Sequence, residues 1–444
     1  MANEAGTFGA HIQRLQSIYT DALSVLDDDS TKADSVLVHS GSEVYYYADD
    51  QTVPFVAYGH FMHWLPVNRP DQFIWFRPGM RPVYLQVILE DFWHDQSIEN
   101  ESWWADQFEL VRLSAVDGVK EHLEQHGSGG RIAYLGPNTE LAGELGVAES
   151  LTGLPLLSYY LDFHRAVKSA YELEQLREAN VQSLPGHAAA REIFLDGGNE
   201  FEVHQAFLTA CNITARESPY NNIVGIDEKA AILHYQYKRR NSAADSKVLL
   251  IDAGCRVNNY CSDITRTTVK DSTHTVFKSL LAAMDSLQLS LVELVKPGMA
   301  YKELHDAAIV GIADILLAHD LCYGSREQLV DDGTAKLFMP HGIGHLLGVQ
   351  VHDVGGHQKD STGLQEDPPE DAPSLRNTRI MEEDMVFTVE PGLYFIPMLL
   401  EPKLEESRDV FNAALIGEMY PLGGIRIEDD VRVRGAGVEN FTRV

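Results

Sequence analysis

His341-Gly342-Ile343-Gly344-His345-Leu346-Leu347-Gly348-Val349-Gln350-Val351-His352-Asp353 is the stretch on which the reading of this chain turns. Three histidines and an aspartate stand among glycines and aliphatic residues. Taken alone, the stretch fits a buried strand with hydrogen-bonded histidines. Four acidic residues in matching contexts change that: Asp252 and Asp263 before it, Glu390 and Glu428 after it. Four carboxylates and one imidazole suit a site for two divalent cations.

The contexts carry the argument. Lys247-Val248-Leu249-Leu250-Ile251-Asp252-Ala253-Gly254 has the pattern of a buried strand ending in a carboxylate. Asn258-Asn259 is a turn signal, and residues 260–267 read as the returning strand. Such a hairpin sets Asp252 beside Asp263, where the two charges repel unless a cation or proton lies between them. Two aspartates capping a turn fit the same residues equally well.

The C-terminal pieces shift that balance. Residues 385–392 form an apolar strand carrying Glu390 just before a Pro-Gly exit. In residues 423–429, strand alternation puts Arg426 and Glu428 on one face and Ile425 and Ile427 on the other. An acid ending a hydrophobic strand is costly to bury alone. Four such acids are costlier still, unless they meet around cations. Two divalent ions balance four carboxylates, with His345 neutral as a ligand. Oxygen donors with one nitrogen favour a hard to borderline ion such as Mn²⁺ over a thiolate-type zinc site. Two ions about 3.5–4 Å apart can share a water, lower its pKa and polarise a carbonyl.

At 444 residues the chain is too long for one ordinary core, so two domains are expected. Its 44% hydrophobic and 23% charged residues are those of a soluble globular protein. The formal charge of −31 argues against nucleic acid or an anionic membrane as a partner. The N-terminus lacks a basic region followed by an apolar run, and no apolar run approaches the roughly 18–20 residues of a membrane span. The cysteines, Cys211, Cys255, Cys261 and Cys322, form no CxxC pair and read as free buried thiols in a reducing cytoplasm. A Cys255–Cys261 disulfide is the alternative.

Helix and strand patterns alternate up to about residue 165, as in an α/β layer domain. Residues 10–26 read as a helix, and 36–39, 73–76 and 83–89 as strands. All five tryptophans lie in this part and read as core, with one or two free to line a cleft. A long helical pattern starts at Tyr171, and Pro185-Gly186 is expected to kink or break it. Asn199 is a good N-cap for the next helix. Val276 to Leu294 follows as a clear helix that stops at Lys296-Pro297-Gly298. Residues 357–379 read as a long surface loop.

The run His341–Asp353 resembles the signature of proline-specific metallopeptidases of the pita-bread fold. The ordered set Asp252, Asp263, His345, Glu390, Glu428 is similar to that family's five dinuclear ligands. Within the family, the texture is most similar to the bacterial Xaa-Pro dipeptidase (prolidase) group, which includes organophosphorus acid anhydrolases. The stretches Asp91-Phe-Trp-His94, Ser218–Val224, Ala231–Tyr235 and Glu390–Ile396 carry that likeness.

The resemblance implies an α+β architecture: an N-terminal α/β domain over 1–168 and a pita-bread domain over 169–444. It implies that Asp252 serves one ion, Asp263 and Glu428 bridge, and His345 ligates while His341 does not. Glu390 is then ligand and proton shuttle, and His352 stabilises the oxyanion. His341, His234, Arg426 and Tyr220 become substrate-pocket residues, and Arg376 holds the carboxylate of the C-terminal proline, with Arg379 as its competitor. Asp50 and Tyr301 fall where relatives contribute residues across a dimer.

The implied activity is metal-dependent hydrolysis of Xaa-Pro dipeptides, with Mn²⁺, Co²⁺ or Zn²⁺ as the metal. A cytoplasmic homodimer and organophosphate hydrolysis as a side activity go with it. Three other functions fit the same fold: an Xaa-Pro aminopeptidase acting on longer peptides, a metal-free binding module, and a creatinase-like hydrolase. Single residues keep structural alternatives too. His341 fits a core histidine, His234 the partner of a backbone group, and Arg426 a structural partner for Glu428.

Overall fold

The computed structural model describes residues 2–98, 102–127 and 129–443. The chain forms two compact units, Met1–Leu173 with Gln358–Gln365, and Glu174–His357 with Glu366–Val444.

In the first unit, helix Ala2–Ser24 buries Phe8, Ile12, Leu15, Tyr19 and Leu23, the three-and-four spacing of one helix face. The sheet runs in the order Glu109–Leu113, Val83–Val87, Phe73–Phe76, Ser35–His39, Ile132–Leu135. Its two outer pairings are parallel and its two inner ones antiparallel. Ser35–His39 is buried at every residue, so its continuous apolar run reflects cover on both faces. Trp64, Trp75 and Trp104 are core, as expected, whereas Trp93 is exposed, with its ring against Phe92.

A buried polar cluster ends this unit. His11 Nδ1 lies 2.9 Å from Ser169 Oγ, His63 Nε2 lies 3.1 Å from Glu172 Oε1, and the Ser169 N–H donates to Glu172 Oε2 at 2.8 Å. Segment 358–365 belongs to this unit, with Gln358 Nε2 donating to the Tyr159 carbonyl.

The second unit is built on antiparallel strands. Thr265–Val269, Val248–Asp252 and Ile223–Ile226 form one sheet, and Val386–Val389, Asp429–Arg434 and Gly437–Asn440 another. Gly392–Tyr394 pairs with Gly424–Arg426, and the bridge between Thr265 and Glu428 joins the pieces. Helices Thr275–Leu294 and Tyr301–Ala318 pack on one another and turn apolar stripes inward.

Three expectations are corrected here. Pro185 does not break its helix, which runs from Ala170 to Leu195. The proline removes one hydrogen bond, but the next residue allows close packing: a Cβ on Gly186 would strike Cys211 Sγ and the Phe207 ring of helix Glu200–Cys211. That second helix starts as expected, with Asn199 and Glu202 forming a capping box.

Helix Thr275–Leu294 does reach the length and mean hydropathy (1.2) of a membrane span. It is nonetheless two-faced. Phe277, Leu280, Met284 and Leu291 are buried, and Asp285 pairs with Arg443 at 2.7 Å.

The hairpin is also more complex than a simple return. Asn258 and Asn259 take φ of 45° and 77°, as a tight two-residue turn requires, but they join only Arg256–Val257 to Tyr260–Cys261. In the longer ladder the partner of Asp252 is Thr265, not Asp263. At the crossover a Cβ on Gly254 would collide with the Ser262 carbonyl, so the two backbones approach as only glycine permits.

Candidate metal centre

Strand ends deliver four of the carboxylates. Asp252 closes Val248–Asp252, Asp263 precedes Thr265–Val269, Glu390 follows Val386–Val389, and Glu428 precedes Asp429–Arg434. Because the neighbouring strands are antiparallel, these ends meet. The stretch containing His345 lies along the Glu390 strand: Glu390 N–H donates to Ile343 O, Thr388 N–H to His345 O, and Leu347 N–H to Val386 O, at 2.9–3.0 Å. Gly344, with φ of 151°, allows that approach, since a Cβ there would hit the Thr388 carbonyl and the Tyr301 hydroxyl.

His345 Nε2 lies 3.3 Å from Asp263 Oδ2 and 3.7 Å from Glu390 Oε1. Its Nδ1 lies 3.1 Å from the Leu346 carbonyl, which fixes the ring and leaves Nε2 facing the acids. One potential ligand atom from each of Asp263, His345 and Glu428 falls within 4.8 Å of the others. Asp252 is held beside them by Arg426, whose Nη2 donates to Asp252 Oδ2 at 2.6 Å.

The charges confirm how crowded the centre is. Burial, then the charges of Asp263, Glu390 and Asp252, push the Glu428 carboxyl well above the usual range. Burial and Asp263 push Asp252 up to about 7. Burial opposes a charged His345, yet its bond to Asp263 and the charges of Asp263 and Glu390 raise it to about 9.

Buried carboxylates this close ask for cations. The donors fit divalent ions of the hard to borderline kind, oxygen with a single imidazole nitrogen. Asp252 Oδ1, buried without a hydrogen-bond partner among the described residues, offers a lone pair to a ligand. The polar cluster of the first unit is spatially compatible with an ion too: His11, His63 and Glu172 have ligand atoms within 4.8 Å of one another. There the histidines already hold Glu172 and Ser169, and Lys168 adds positive charge beside Glu172. That arrangement suits an internal hydrogen-bonded cluster around one carboxylate.

A cleft of about 260 Å³ opens over the centre. Asp252, Asp263, His345, Glu390, Glu428, His341, His234, His352, Arg376 and Arg426 all line it. Tyr220 is not on the wall. It lines a neighbouring cavity and donates from its hydroxyl to Asp263 Oδ1 at 2.5 Å.

The two candidate arginines differ. Arg379 is buried and paired with Glu382 at 2.6 Å, whereas Arg376 is exposed at the cleft with no carboxylate paired to it among the described residues. Arg426 is a partner of the acids: besides Asp252, its Nε donates to Thr265 Oγ1 at 3.0 Å and lies 4.0 Å from Glu428 Oε2. Tyr301 is fully buried in its own unit, donating to the Thr388 carbonyl, so it cannot reach a neighbouring subunit. Asp50 is exposed in the first unit.

Sequence reasoning missed several residues. Thr265 Oγ1 donates to Glu428 Oε2 at 2.5 Å. Thr388 Oγ1 accepts the His345 N–H at 3.1 Å and donates to Glu390 Oε1 at 3.4 Å. Each threonine stands two positions from a site acid on an extended chain, a shared-face spacing that could have revealed it. Tyr394 links Arg426 to His341: Arg426 Nη1 donates to its oxygen at 3.1 Å, and that oxygen lies 3.0 Å from His341 Nε2. Ser374 also lines the cleft.

Comparison with known proteins identifies the family. Residues 174–435 match metallopeptidase family M24, and residues 6–163 match the Xaa-Pro dipeptidase N-terminal domain. The Xaa-Pro dipeptidase of Pseudoalteromonas atlantica is 38% identical over 449 residues, spanning 100% of this chain and 99% of its own. That of Marinobacter nauticus is 41% identical over 437 residues, spanning 98% and 97%.

Among solved structures, aminopeptidase P from E. coli with the inhibitor Pro-Leu has a TM-score of 0.72 at 22% identity, covering 96% of this chain and 95% of that one. The aminopeptidase PepP of Pseudomonas aeruginosa has a TM-score of 0.73 at 22% identity, covering 96% and 94%. These likenesses show the fold, an N-terminal α/β domain followed by a pita-bread domain. With relatives this similar over their full length, the chain belongs to metallopeptidase family M24, in its Xaa-Pro dipeptidase branch.

Proposed function

We propose that this chain hydrolyses Xaa-Pro dipeptides using two divalent metal ions. One observation carries the reading: five potential ligands from distant parts of the chain line a small cleft whose edge also bears Arg376. Asp252, Asp263, His345, Glu390 and Glu428 would hold the ions. When bound, such a pair supplies Lewis acidity, lowering the pKa of a water and polarising the scissile carbonyl.

The rest of the mechanism belongs to the chain. Glu390 takes the proton of the attacking water and delivers it to the departing proline nitrogen. Desolvation at the cleft, helped by the charge of Arg376, lowers His352 to about 4, so it is a neutral N–H donor for the oxyanion at physiological pH. Arg376 pairs with the carboxylate of the substrate proline. The 260 Å³ of the cleft suits a short substrate anchored at both ends. Proline's imide nitrogen has no hydrogen, so recognition rests on the substrate's termini rather than on a backbone donor. His341 and His234 shape the wall, Arg426 restrains Asp252, and Tyr220 restrains Asp263.

Mn²⁺ is the proposed metal, because oxygen donors dominate, and Co²⁺ and Zn²⁺ are the other candidates. The same activated water would attack phosphorus in P–F and P–O esters, which makes organophosphate hydrolysis the proposed side activity. A homodimer is the proposed assembly, supported by the exposed Tyr47, Phe92 and Trp93 of the first unit. The cytoplasm is the proposed compartment, supported by four unpaired buried thiols.

One assay tests the reading. After reconstitution with Mn²⁺, Co²⁺ or Zn²⁺, turnover of Gly-Pro is compared with that of a Gly-Pro-X tripeptide and a fluorophosphate. Faster cleavage of the dipeptide supports a dipeptidase. Equal or faster cleavage of the tripeptide replaces it with an aminopeptidase.

A further inference from the structure

Behind the acids runs a buried chain of hydrogen bonds that the reaction itself does not use. The Asp263 backbone N–H donates to Asp430 Oδ2 at 3.0 Å, and Asn180 Nδ2 donates to the same oxygen at 2.7 Å. Asn180 Oδ1 in turn accepts the Thr442 hydroxyl proton at 2.7 Å, and Thr442 Oγ1 accepts the Asp430 N–H at 3.0 Å. The loop closes on itself by joining the helix Ala170–Leu195 to two neighbouring pieces some 250 residues later, the strand Asp429–Arg434 and the stretch holding Thr442. Asn180 and Asp430 are fully buried, and Thr442 is 3% exposed.

We propose that Asn180 and Thr442 are positioning residues for the metal centre. They fix the Asp430 carboxylate, which holds the backbone of Asp263 at the spacing from Glu428 that two ions require.

The geometry leaves these groups few alternatives. Asp430 Oδ1 is buried with no hydrogen-bond partner among the described residues, so Oδ2 is the oxygen that ties the carboxylate to its surroundings. Asn180 Nδ2 has one further acceptor, the Leu176 carbonyl in its own helix at 3.1 Å, which orients the amide. Asp430 also follows Glu428 by two residues on the chain, so one short stretch carries one proposed bridging acid and holds the backbone of the other. Groups one step removed from the ligands tune metal affinity or activity by roughly 10–100-fold. The inference rests on the two-metal reading above.

The test compares Thr442→Val and Asn180→Leu with Thr442→Ser and with Leu316→Ala, a buried core control that does not line the cleft. Mn²⁺ is titrated into each metal-free protein by calorimetry, well below its unfolding temperature, and kcat and KM for Gly-Pro are measured at saturating Mn²⁺. Expected are a roughly 10–100-fold weaker second Mn²⁺ in Thr442→Val and Asn180→Leu, a lowered kcat, and KM within about twofold. Thr442→Ser, which keeps the hydroxyl, is expected to retain parental affinity. Unchanged Mn²⁺ affinity in both disruptive variants overturns the inference, as does an equal loss in Leu316→Ala. If the parent itself takes up no second ion, the two-metal reading fails and this inference with it, an outcome seen before any variant is examined.

Discussion

Arg426 Nη2 donates to Asp252 Oδ2 at 2.6 Å, across 174 positions of sequence, with both side chains almost entirely buried. The guanidinium therefore sits inside a ring of acids and offsets part of their repulsion. Burial disfavours its charge, but Tyr394, Asp252, Glu428 and Glu390 together hold it well above the ordinary arginine range. This pairing decides how the centre behaves when its cations are removed.

Arg426→Met removes that internal cation. Breaking a buried pair costs about 3–5 kcal/mol, so the metal-free variant should unfold at a markedly lower temperature. Added Mn²⁺ should then raise its Tm by more than it raises the parent's, since ligand binding to the folded state adds stability. Thermal unfolding with and without Mn²⁺ measures both. Equal Mn²⁺-induced shifts in the two proteins would show that Arg426 does not offset charge at the site.

Asp263→Asn and Glu428→Gln keep shape while removing charge from the proposed bridges. Both are expected to fold, to bind fewer than two ions, and to lose Gly-Pro hydrolysis down to background. Circular dichroism and elemental analysis accompany the assay. Normal turnover in either variant contradicts the proposed site.

The two arginines separate specificity from stability. Arg376→Ala should lower kcat/KM for a dipeptide by about 10–100-fold, the worth of a hydrogen bond to a charged group. It should also abolish the preference for a free dipeptide over its C-terminal amide. Arg379→Ala leaves Glu382 without its partner and should lower Tm while the preference persists. Kinetics on the dipeptide and its amide decide. A preference that survives in Arg376→Ala but is lost in Arg379→Ala reverses the assignment.

Acid should act on the first unit through His63. Burial, outweighing the charge of Glu172, lowers its pKa from 6.5 to about 4. Below about pH 6.5 the unfolded chain takes up a proton that the folded one refuses until about pH 4. The unfolded state binds more protons in that window, so stability falls as pH falls. The loss attributable to this group is about 3 kcal/mol. His63→Gln can still donate to Glu172 but does not titrate, so its stability should fall less between pH 6.5 and 4. Denaturant unfolding across that range measures the difference, and identical pH slopes would rule out His63 as the source.

Much of the centre was legible because its cost is local. An acid at the end of an apolar strand stands out wherever it occurs, and Asp252, Glu390 and Glu428 were each visible in that way. Gly344 and Gly254 were equally apparent as glycines, but not their reason, since the carbonyls of Thr388 and Ser262 that exclude a Cβ belong to other segments. Pro185-Gly186 misled for the same cause. Local propensity favours a break, and packing against Phe207 and Cys211 keeps the helix whole. Asn180, Asp430 and Thr442 gave no signal at all, because a buried asparagine and a turn asparagine look alike until the partner is known.

Periodicity and residue chemistry were thus enough to determine the strands, the capped helices and the acids that need a shared counter-charge. Hydrophobic spacing and the cost of burying charge act along the chain, where they can be read. Tertiary structure alone decided which atoms face one another. It set Thr265 rather than Asp263 opposite Asp252, gave Arg379 to Glu382 while leaving Arg376 at the cleft, and shut Tyr301 inside its own unit. Those outcomes depend on strand register and on how the segments pack against one another, which the pattern of residue types along the chain does not specify.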